Sequence, residues 1–511
     1  MNSFCFTGLW RRLASLVFLS SYLLSCTSWR PANGSPGHVL QERKPTVVRV
    51  TVAGGGGFVL FEPRLQNDSL IGKLTANRPD DRRAIPVDSI VGIEVQQLSK
   101  TKTTLALVGA GLTILVIAAA LSAPDPVPQE HPSVSCPMVY SWDGKEWRLD
   151  SGTFGGAIMP IFARTDVDNL IYATAQEDQL RLRMANELNE TDYVDAVSVL
   201  IVDHNPSVTV APSADGTIHT LGPLQPPRSA VDFRGHPAMD RVRAVDGWSW
   251  ESRPSGRDTS NVGDVRDGLN IVFAKPRGAT RARLVVDGSN TPWASHMMQE
   301  LVRAHGRTTQ AWYDAVNGSP VMAQKLAAMM AREGFLDVQL RVDGRWEHRD
   351  FVWEAGPEVM KRQVVSLDLS GIDGDVVEIR LESAPMFWLI DNVGLDFSDQ
   401  LETRSQELQL ERAVDQDGRD VRDRLQSLDR TYHVLETGDR TDLSFKVPTL
   451  PAGMKRSYLL RSTGWYHITA PQVKEPDLAL LDEVKNRPRG ASRVSVARFN
   501  DALRALNAPA K

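Results

Sequence analysis

Residues 103–123 (TTLALVGAGLTILVIAAALSA) form a long stretch without a charged residue, and they limit what the rest of the chain can be. A helix that rises ~1.5 Å per residue would span roughly 30 Å over this length, which is the thickness of the hydrocarbon core of a bilayer. The stretch therefore predicts one transmembrane helix. A helix buried inside a globular core is the alternative interpretation.

The composition excludes several classes of protein. The chain has 511 residues, a formal net charge of -5 and three cysteines, Cys5, Cys26 and Cys136. A general nucleic-acid-binding protein needs a basic surface that neutralises phosphates, so no nucleic-acid partner is expected. The cysteines lack the paired spacing of a zinc site, and the histidines are scattered without a metal-binding motif. We therefore expect no metal and no cofactor.

The first 26 residues have the pattern of a secretory signal peptide. Arg11 and Arg12 precede the apolar run LASLVFLSSYLLS, which is too short to cross a membrane unaided. The run ends in Leu-Leu-Ser before Cys26, and this sequence resembles the lipobox of bacterial lipoproteins. The resemblance implies that Cys26 is lipidated and becomes the new N-terminus. An uncleaved anchor with an incidental cysteine is the alternative.

The charges around residues 103–123 conflict with export of the residues before them. Lys100 and Lys102 precede the stretch and Asp125 and Glu130 follow it, which favours a cytoplasmic position for its N-terminal flank. Either both anchors lie in an outer membrane, or the leader does not export and only 103–123 spans. Both solutions place the C-terminal part outside the cytoplasm, and the side of the N-terminal part stays open.

Residues 45–98 alternate apolar and polar positions in the manner of short strands. The predicted strands are 47–52, 58–65, 69–74, 84–90 and 91–98. So many strands in so short a segment favour a small SH3-like or Sm-like β-barrel. Residues 27–44 before it, rich in proline and glycine near the start, are predicted to be a linker.

Beyond a Pro-rich linker at 124–137, the chain is predicted to be strongly β. Asp-Gly pairs at 143, 246, 287, 343 and 373 favour tight turns between alternating runs, so residues 138–400 are predicted to form a large β-sandwich. Apolar spacing near 3.6 predicts a helical insertion at 295–333, whose last helix is Met-rich, begins at Ser319-Pro320 and ends at Gly334. A β-rich C-terminal extension is predicted at 401–470 and amphipathic helices at 477–507.

Two longer resemblances support this architecture. The run VVSLDLSG…VVEIRLESAPMFWLIDNVGLDF (364–397) resembles the closing strands of galactose-binding-like (discoidin-type) sandwiches. The runs 136–158, 180–204 and 456–468 together resemble a family of uncharacterised bacterial envelope proteins. That family implies no known activity.

Tryptophans are the candidate binding residues. An aromatic side chain in a sandwich can carry a sugar ring on its face, although ordinary packing uses it more often. Trp248 and Trp250 are two residues apart and would share one face of a strand, so they are the candidate platform. Trp142 and Trp147 flank the Asp143-Gly144 turn and are expected to point to opposite faces.

The sequence gives no candidate catalytic residues. A glycosidase needs two carboxyls that face each other across a cleft, and the spacing of Asp166 and Asp168 in the sequence cannot establish such an arrangement. These paired carboxylates are therefore interpreted as exposed acids of a turn. No GxSxG elbow occurs.

We therefore expect a mainly β, membrane-anchored cell-envelope protein whose large domain lies outside the cytoplasm, in the periplasm or at the cell surface. The leading hypothesis is a non-enzymatic binding or structural module whose partners are the membrane and either a carbohydrate or another envelope protein. The alternatives are a carbohydrate-active hydrolase and a subunit of an envelope assembly, which would expose an apolar patch of several hundred Å².

Overall fold

The computed structural model describes residues 27–31, 36–52, 57–66, 68–73, 82–98, 137–253, 265–469 and 474–506. The chain divides into two compact units, 1–131 and 132–511. The predicted signal peptide with Cys26, the predicted transmembrane helix 103–123 and nearly all of the linker 124–137 lie outside the described residues. Within the described ranges, no helix combines the length and the apolarity that a membrane crossing requires.

The described residues of the first unit form a six-stranded antiparallel sheet and one helix. Its elements, in chain order, are β1 Thr27–Pro31, α1 Pro36–Arg43, β2 Val47–Val52, β3 Gly57–Gln66, β4 Ser69–Lys73, β5 Arg82–Pro86, the 3₁₀ turn Val87–Ser89 and β6 Ile90–Leu98. The strand order is β1-β6-β2-β3-β4-β5. The predicted strands correspond to β2–β6, because the alternation that predicts them also provides the buried face: Val48, Val50, Leu60, Leu70, Ile85, Ile93 and Val95.

The prediction of a linker at 27–44 is wrong for its described residues. β1 pairs with β6 from Thr27 opposite Leu98 to Pro31 opposite Glu94, and it completes the edge of the sheet. Helix α1 contributes Val39, which is 1% exposed, to the core of the unit. The proline and glycine content suggested a flexible segment. However, β6 offers an edge with which β1 forms hydrogen bonds, and the apolar side chain of α1 packs into the core of the unit.

The second unit contains two β-sandwiches. The strands up to the helical insertion are β7 Met138–Trp142, β8 Trp147–Gly152, β9 Arg164–Leu170, β10 Gln179–Ala185, β11 Glu190–His204, β12 Thr209–Pro212, β13 Ile218–Leu221, β14 Ser229–Asp232, β15 Trp250–Glu251, β16 Asp267–Ala274 and β17 Arg281–Asn290. The later ones are β18 Leu336–Val342, β19 Arg345–Val352, β20 Lys361–Asp368, β21 Val376–Ser383, β22 Trp388–Asp396, β23 Arg404–Leu408, β24 Leu410–Asp415, β25 His433–Leu435, β26 Arg440–Lys446 and β27 Lys455–Ile468.

The first sandwich is built from the two ends of this unit. One sheet has the order β24-β26-β10-β7-β8, the other has the order β23-β11-β27-β9, and β25 pairs with β11. Both sheets contribute to one core, for example Leu182 and Phe445 from one and Val199 and Leu460 from the other.

The second sandwich is inserted between the two halves of the first. Its sheets have the orders β14-β16-β21-β18-β19 and β15-β22-β17-β20. They share a separate core that includes Ile271, Leu340, Ile379 and Trp388. The boundary predicted at residue 400 is therefore wrong, because β23–β27 do not form an extension but complete the first sandwich. β11 pairs with β27 from Glu190 opposite Ile468 to His204 opposite Lys455.

The predicted helical insertion is confirmed. The helices of this unit are α2 Met239–Val242, α3 Pro292–Arg303, α4 Thr309–Asn317, α5 Pro320–Gly334, α6 Leu478–Asn486 and α7 Gly490–Leu506. The hydroxyl of Ser319 accepts a hydrogen bond from the amide of Met322 and caps α5, as the Ser-Pro signal predicts. Helices α3–α5 join the two sandwiches, since Met297 packs in the second core while Tyr313 and Val316 pack in the first.

Candidate ligand-binding cleft

A cleft lies where the first sandwich, the second sandwich and the helices meet. Its empty volume, including the mouth that opens to solvent, is about 700 Å³. The first sandwich contributes the loop at Gly155 and Gly156 and Tyr466 of β27, and the second contributes Glu354 just after β19. Helices α3, α5 and α7 form most of the rest of the wall, and Asn290, Gly356 and Phe387 complete it.

The wall is mainly apolar, and methionine supplies four of its side chains. The thioether side chains come from neighbouring pairs on two helices, Met297 and Met298 on α3 and Met329 and Met330 on α5. Met330 is 8% exposed. Methionine is unbranched and polarizable, so a surface of this kind adapts its shape to an apolar ligand. The Met-rich helix was expected to fill gaps in a core, and here it lines an opening.

Glu354 is the one carboxylate of the cleft to which no described residue donates a hydrogen bond or offers an ion pair. Its two oxygens rest against Gly156 and Gly334, where a Cβ atom on either glycine would overlap them. Gly156 also has a φ of +81°, a conformation that suits glycine. Burial raises the pKa of Glu354 to about 7, and this effect outweighs the opposing attraction of the Arg164 guanidinium.

Three other polar side chains of the cleft have partners inside the protein. Glu333 accepts hydrogen bonds from the Ser492 hydroxyl at 2.5 Å and from Arg332 Nε at 2.9 Å. The Tyr466 hydroxyl oxygen accepts a hydrogen bond from the amide of Gly156 at 3.1 Å, and Asn290 Oδ1 accepts one from the amide of Ala355 at 2.9 Å. These three groups are therefore fixed by the fold, and the Glu354 carboxylate differs from them in having no such partner among the described residues.

A cluster of charged side chains lies on the other side of Glu354, around strand β9. Arg164 Nε donates to Asp166 Oδ1 at 2.7 Å, and Arg164 Nη2 donates to the carbonyl of Gly155 at 2.5 Å. Lys361 Nζ lies 2.8 Å from Asp168 Oδ1 and 3.7 Å from Asp166 Oδ2. Two cations thus face two carboxylates, and the cluster is neutral without Glu354.

The interpretation of Asp166 and Asp168 as exposed turn acids is wrong. Both lie on β9 and are largely buried, with side chains 13% and 8% exposed. Burial works against ionisation of Asp166, but Arg164 and Lys361 together hold its pKa below the ordinary value. Burial raises the pKa of Asp168, and the ammonium of Lys361 limits that rise. The two residues are two positions apart on β9, so both side chains point to the same face of the strand. The spacing in the sequence does not reveal that this face is covered by another part of the protein.

The predicted tryptophan platform does not form. Trp250 is 6% exposed and belongs to the core of the second sandwich, so its face is not available to a ligand. Trp248 is half-buried, and the guanidinium of Arg241 lies 3.9 Å from its ring centre. The strand here is only Trp250–Glu251, and the two rings therefore do not share one strand face.

Trp142 and Trp147 point to the same face, contrary to expectation. They are directly opposite in the β7–β8 ladder, with ring centres 5.4 Å apart. The connection has four residues instead of two, because Asp143 Oδ1 accepts the amides of Lys145 and Glu146. Arg181 and Arg183 lie 4.4 Å above the two rings.

The described residues contain no metal-binding cluster, and the comparisons with families and curated proteins found no relative. Across the described ranges, no group of three or more His, Cys, Asp or Glu side chains is arranged to hold a metal ion. No protein-family model matches the chain, and no curated protein matches it at a significant level.

The sequence reasoning missed Glu354, Gly156 and Gly334. One signal was present: Glu354 is the only charged residue of the run FVWEAGP (351–357), and a lone acid in an apolar run is a candidate for burial. The two glycines come from distant parts of the chain, so their contact with Glu354 follows only from the fold.

Proposed function

We propose that the chain is a cell-envelope protein, held at a membrane by residues 103–123 and a lipid on Cys26, whose 132–511 unit binds a small ligand outside the cytoplasm. The single observation that carries the binding part is the unpartnered carboxylate of Glu354 in an apolar cleft. Glu354 is half-buried, and ligand sites commonly combine apolar walls with a few polar groups that have no partner in the free protein.

Hydrolysis is the second candidate, and one observation favours it: Glu354, with a pKa raised to about 7, lines the same small pocket as Asp166, whose pKa is lowered. Two carboxyls with opposite shifts are typical of an acid and its partner. However, Asp166 Oδ1 accepts a hydrogen bond from Arg164 Nε, and Asp166 Oδ2 accepts one from the amide of Phe154 at 2.7 Å. Both oxygens are thus engaged, so Asp166 is a poor nucleophile, and binding is the better-supported function.

Binding is tested by closing the cleft of the full-length chain. Ala294 lines the cleft on α3, and Ala294→Phe would fill it, whereas Ala327→Phe on the exposed side of α5 is the matched control. Ligands from a library of small apolar compounds should raise the melting temperature of the wild type and of Ala327→Phe, because a ligand that binds only the folded state stabilises it. Equal shifts in Ala294→Phe would contradict the assignment.

The location is tested separately by protease digestion of intact cells and spheroplasts. Exposure of the 132–511 unit before lysis is the expected result, with a cytoplasmic protein as the protected control. Cys26→Ala should abolish incorporation of labelled fatty acid but leave the protein in the membrane fraction through residues 103–123. A unit that stays protected until lysis would contradict an extracytoplasmic position.

A further inference from the structure

We infer that, if the cleft binds a ligand as proposed above, this ligand is an aliphatic amine whose ammonium group pairs with Glu354 and whose alkyl chain lies along the methionines of α3 and α5. The proposal follows from the charges and the wall of the site taken together.

The charge of the site favours a cation. Arg164 and Lys361 are already paired with Asp166 and Asp168 at 2.7 and 2.8 Å, so Glu354 is the charge that remains unbalanced when it ionises. Glu354 is half-buried, and a carboxylate that is partly shielded from water gains from a cation with which it can form a hydrogen-bonded pair. A carboxylate ligand would instead place a second negative charge in the site.

The shape of the site favours a ligand with a compact charged group on a slender alkyl chain. The backbones of Gly156 and Gly334 pack directly against the two carboxyl oxygens, so little room remains beside them and only a small donor group fits there. An ammonium is a compact charge with three donors, whereas a guanidinium is planar and wider. Met297, Met298, Met329 and Met330 then offer a flexible apolar wall along which a short alkyl chain can pack.

Binding should also release protons. Several charged or titratable groups face Glu354 from the elements around it: Arg164 and Asp166 on β9, Tyr466 on β27, Glu333 on α5 and Lys361 on β20. Of these, the two cations and Asp166 are already ion-paired, so Glu354 is the group expected to change its protonation near neutral pH. An alkylammonium keeps its charge there, since its pKa lies near ~10. Affinity should therefore rise with pH between about 6 and 8.

The test is isothermal titration calorimetry of the full-length chain with butyl-, pentyl- and hexylammonium, the alcohols of equal length and the matching carboxylates. We expect the amines to bind about tenfold or more tightly than the alcohols. Titrations in buffers of different ionisation enthalpy should show protons released with amines and none with alcohols. Glu354→Gln should remove both the preference for amines and the proton release, and Glu402→Gln, which changes an exposed acid, should remove neither.

The outcomes separate the two proposals. Alcohols or carboxylates that bind as tightly as amines, with Glu354→Gln unchanged, would overturn the ammonium assignment and leave the cleft as a binding site. If no compound of the three series binds, and the broader library gives no shift that depends on Ala294, the proposed function fails as well.

Discussion

At the scale of single residues, the ionisable groups around the cleft differ in whether the protein itself supplies a partner. Asp166, Asp168 and Glu333 each accept a hydrogen bond or ion pair from a fixed donor. Glu354 instead lies against two glycines. The protein thus keeps a carboxyl group in a place where its charged form is disfavoured, and this has a measurable effect on stability.

The first prediction concerns the pH dependence of that effect. The pKa of Glu354 is about 7 in the folded protein, while a glutamate in an unfolded chain has a pKa near ~4.3. Between these values the folded state binds more protons than the unfolded state, so the Glu354 contribution to stability is lost as the pH rises from about 4 to about 7. Glu354→Gln should therefore gain about 2 kcal/mol relative to the wild type between pH 5 and pH 8.

Chemical denaturation of both proteins across this pH range, followed by tryptophan fluorescence, checks the prediction. The difference between the two proteins is the quantity that matters, because other buried acids such as Asp267, whose burial raises its pKa to about 6, titrate in both. Glu402→Gln serves as the control. Parallel pH profiles for the wild type and Glu354→Gln would show that Glu354 is not buried in the manner described.

The second prediction concerns Gly334, the last residue of α5. A Cβ atom at this position would overlap a carboxyl oxygen of Glu354, so Gly334→Ala should displace the flexible end of that side chain and lower the free energy of unfolding by about 1 kcal/mol or less. The same substitution in a Glu354→Ala background should cost much less, because the overlapping atoms are gone. Gly371→Ala, where nothing lies within 4 Å of an added Cβ, is the matched control. Equal costs in both backgrounds would refute the contact.

The sequence predicted residues well where the local pattern decides their environment and poorly where distant segments do. The capping role of Ser319 follows from its neighbours, and the structure confirms it. The burial of Asp166, Trp250 and Glu354 depends on which surface covers each strand or loop, and that surface comes from another part of the chain. The candidate cleft was for this reason absent from the sequence-based picture.

At the scale of elements, helix α7 is attached to the helical insertion through a few specific side chains. The Ser492 hydroxyl donates to Glu333 on α5, and Trp293 Nε1 on α3 donates to the Ser495 hydroxyl at 2.9 Å. The ring of Phe499 lies 5.2 Å from that of Trp293. Because Ala491 lines the cleft, the docking of α7 also determines how the cleft is closed on this side.

The third prediction tests this attachment. Ser492→Ala removes a buried hydrogen bond to the carboxyl group of Glu333, a change that costs about 1–3 kcal/mol. Helix α7 should then undock more often, and its amides should exchange faster with deuterium than those of the two sandwiches. Asp501→Ala, on the exposed side of the same helix, should leave the exchange unchanged. Exchange in Ser492→Ala that matches the wild type would mean that α7 is held by other contacts.

Element boundaries depend on turn chemistry that sequence patterns capture only in part. At Asp343-Gly344 the expected two-residue hairpin forms, with φ of +49° and +79° at the two positions. The same dipeptide at Asp287-Gly288 instead lies within β17, at a shift in register between β17 and β22. At Asp143-Gly144 the side chain of Asp143 extends the turn to four residues. Identical dipeptides therefore produce three structures, because the neighbouring strands decide which is stable.

At the scale of the whole molecule, the sequence of the second sandwich in the 132–511 unit is inserted between the two sequence segments that form the first sandwich. The mainly β composition and the helical insertion were predictable, since they follow from alternation and helical spacing. The discontinuity was not, because strand pairing across more than 200 intervening residues, such as β11 with β27, leaves no local trace in the sequence. The cleft exists because of this discontinuity: it needs both sandwiches and the helices between them.

The last prediction follows from this arrangement. A chain that ends at residue 400 retains every strand of the second sandwich but lacks β23–β27, so β11 loses β23 and β27 as neighbours and core side chains such as Phe445 and Leu460 are absent. We expect the 132–400 fragment to be insoluble or to lack a cooperative unfolding transition. The 225–400 fragment should keep protected strands around Ile271 and Ile379, because its own core is complete. Limited proteolysis and amide exchange measured on both fragments and on the 132–511 unit check this. A 132–400 fragment that unfolds cooperatively, with protected amides in β10 and β11, would show that the first sandwich does not require its C-terminal strands.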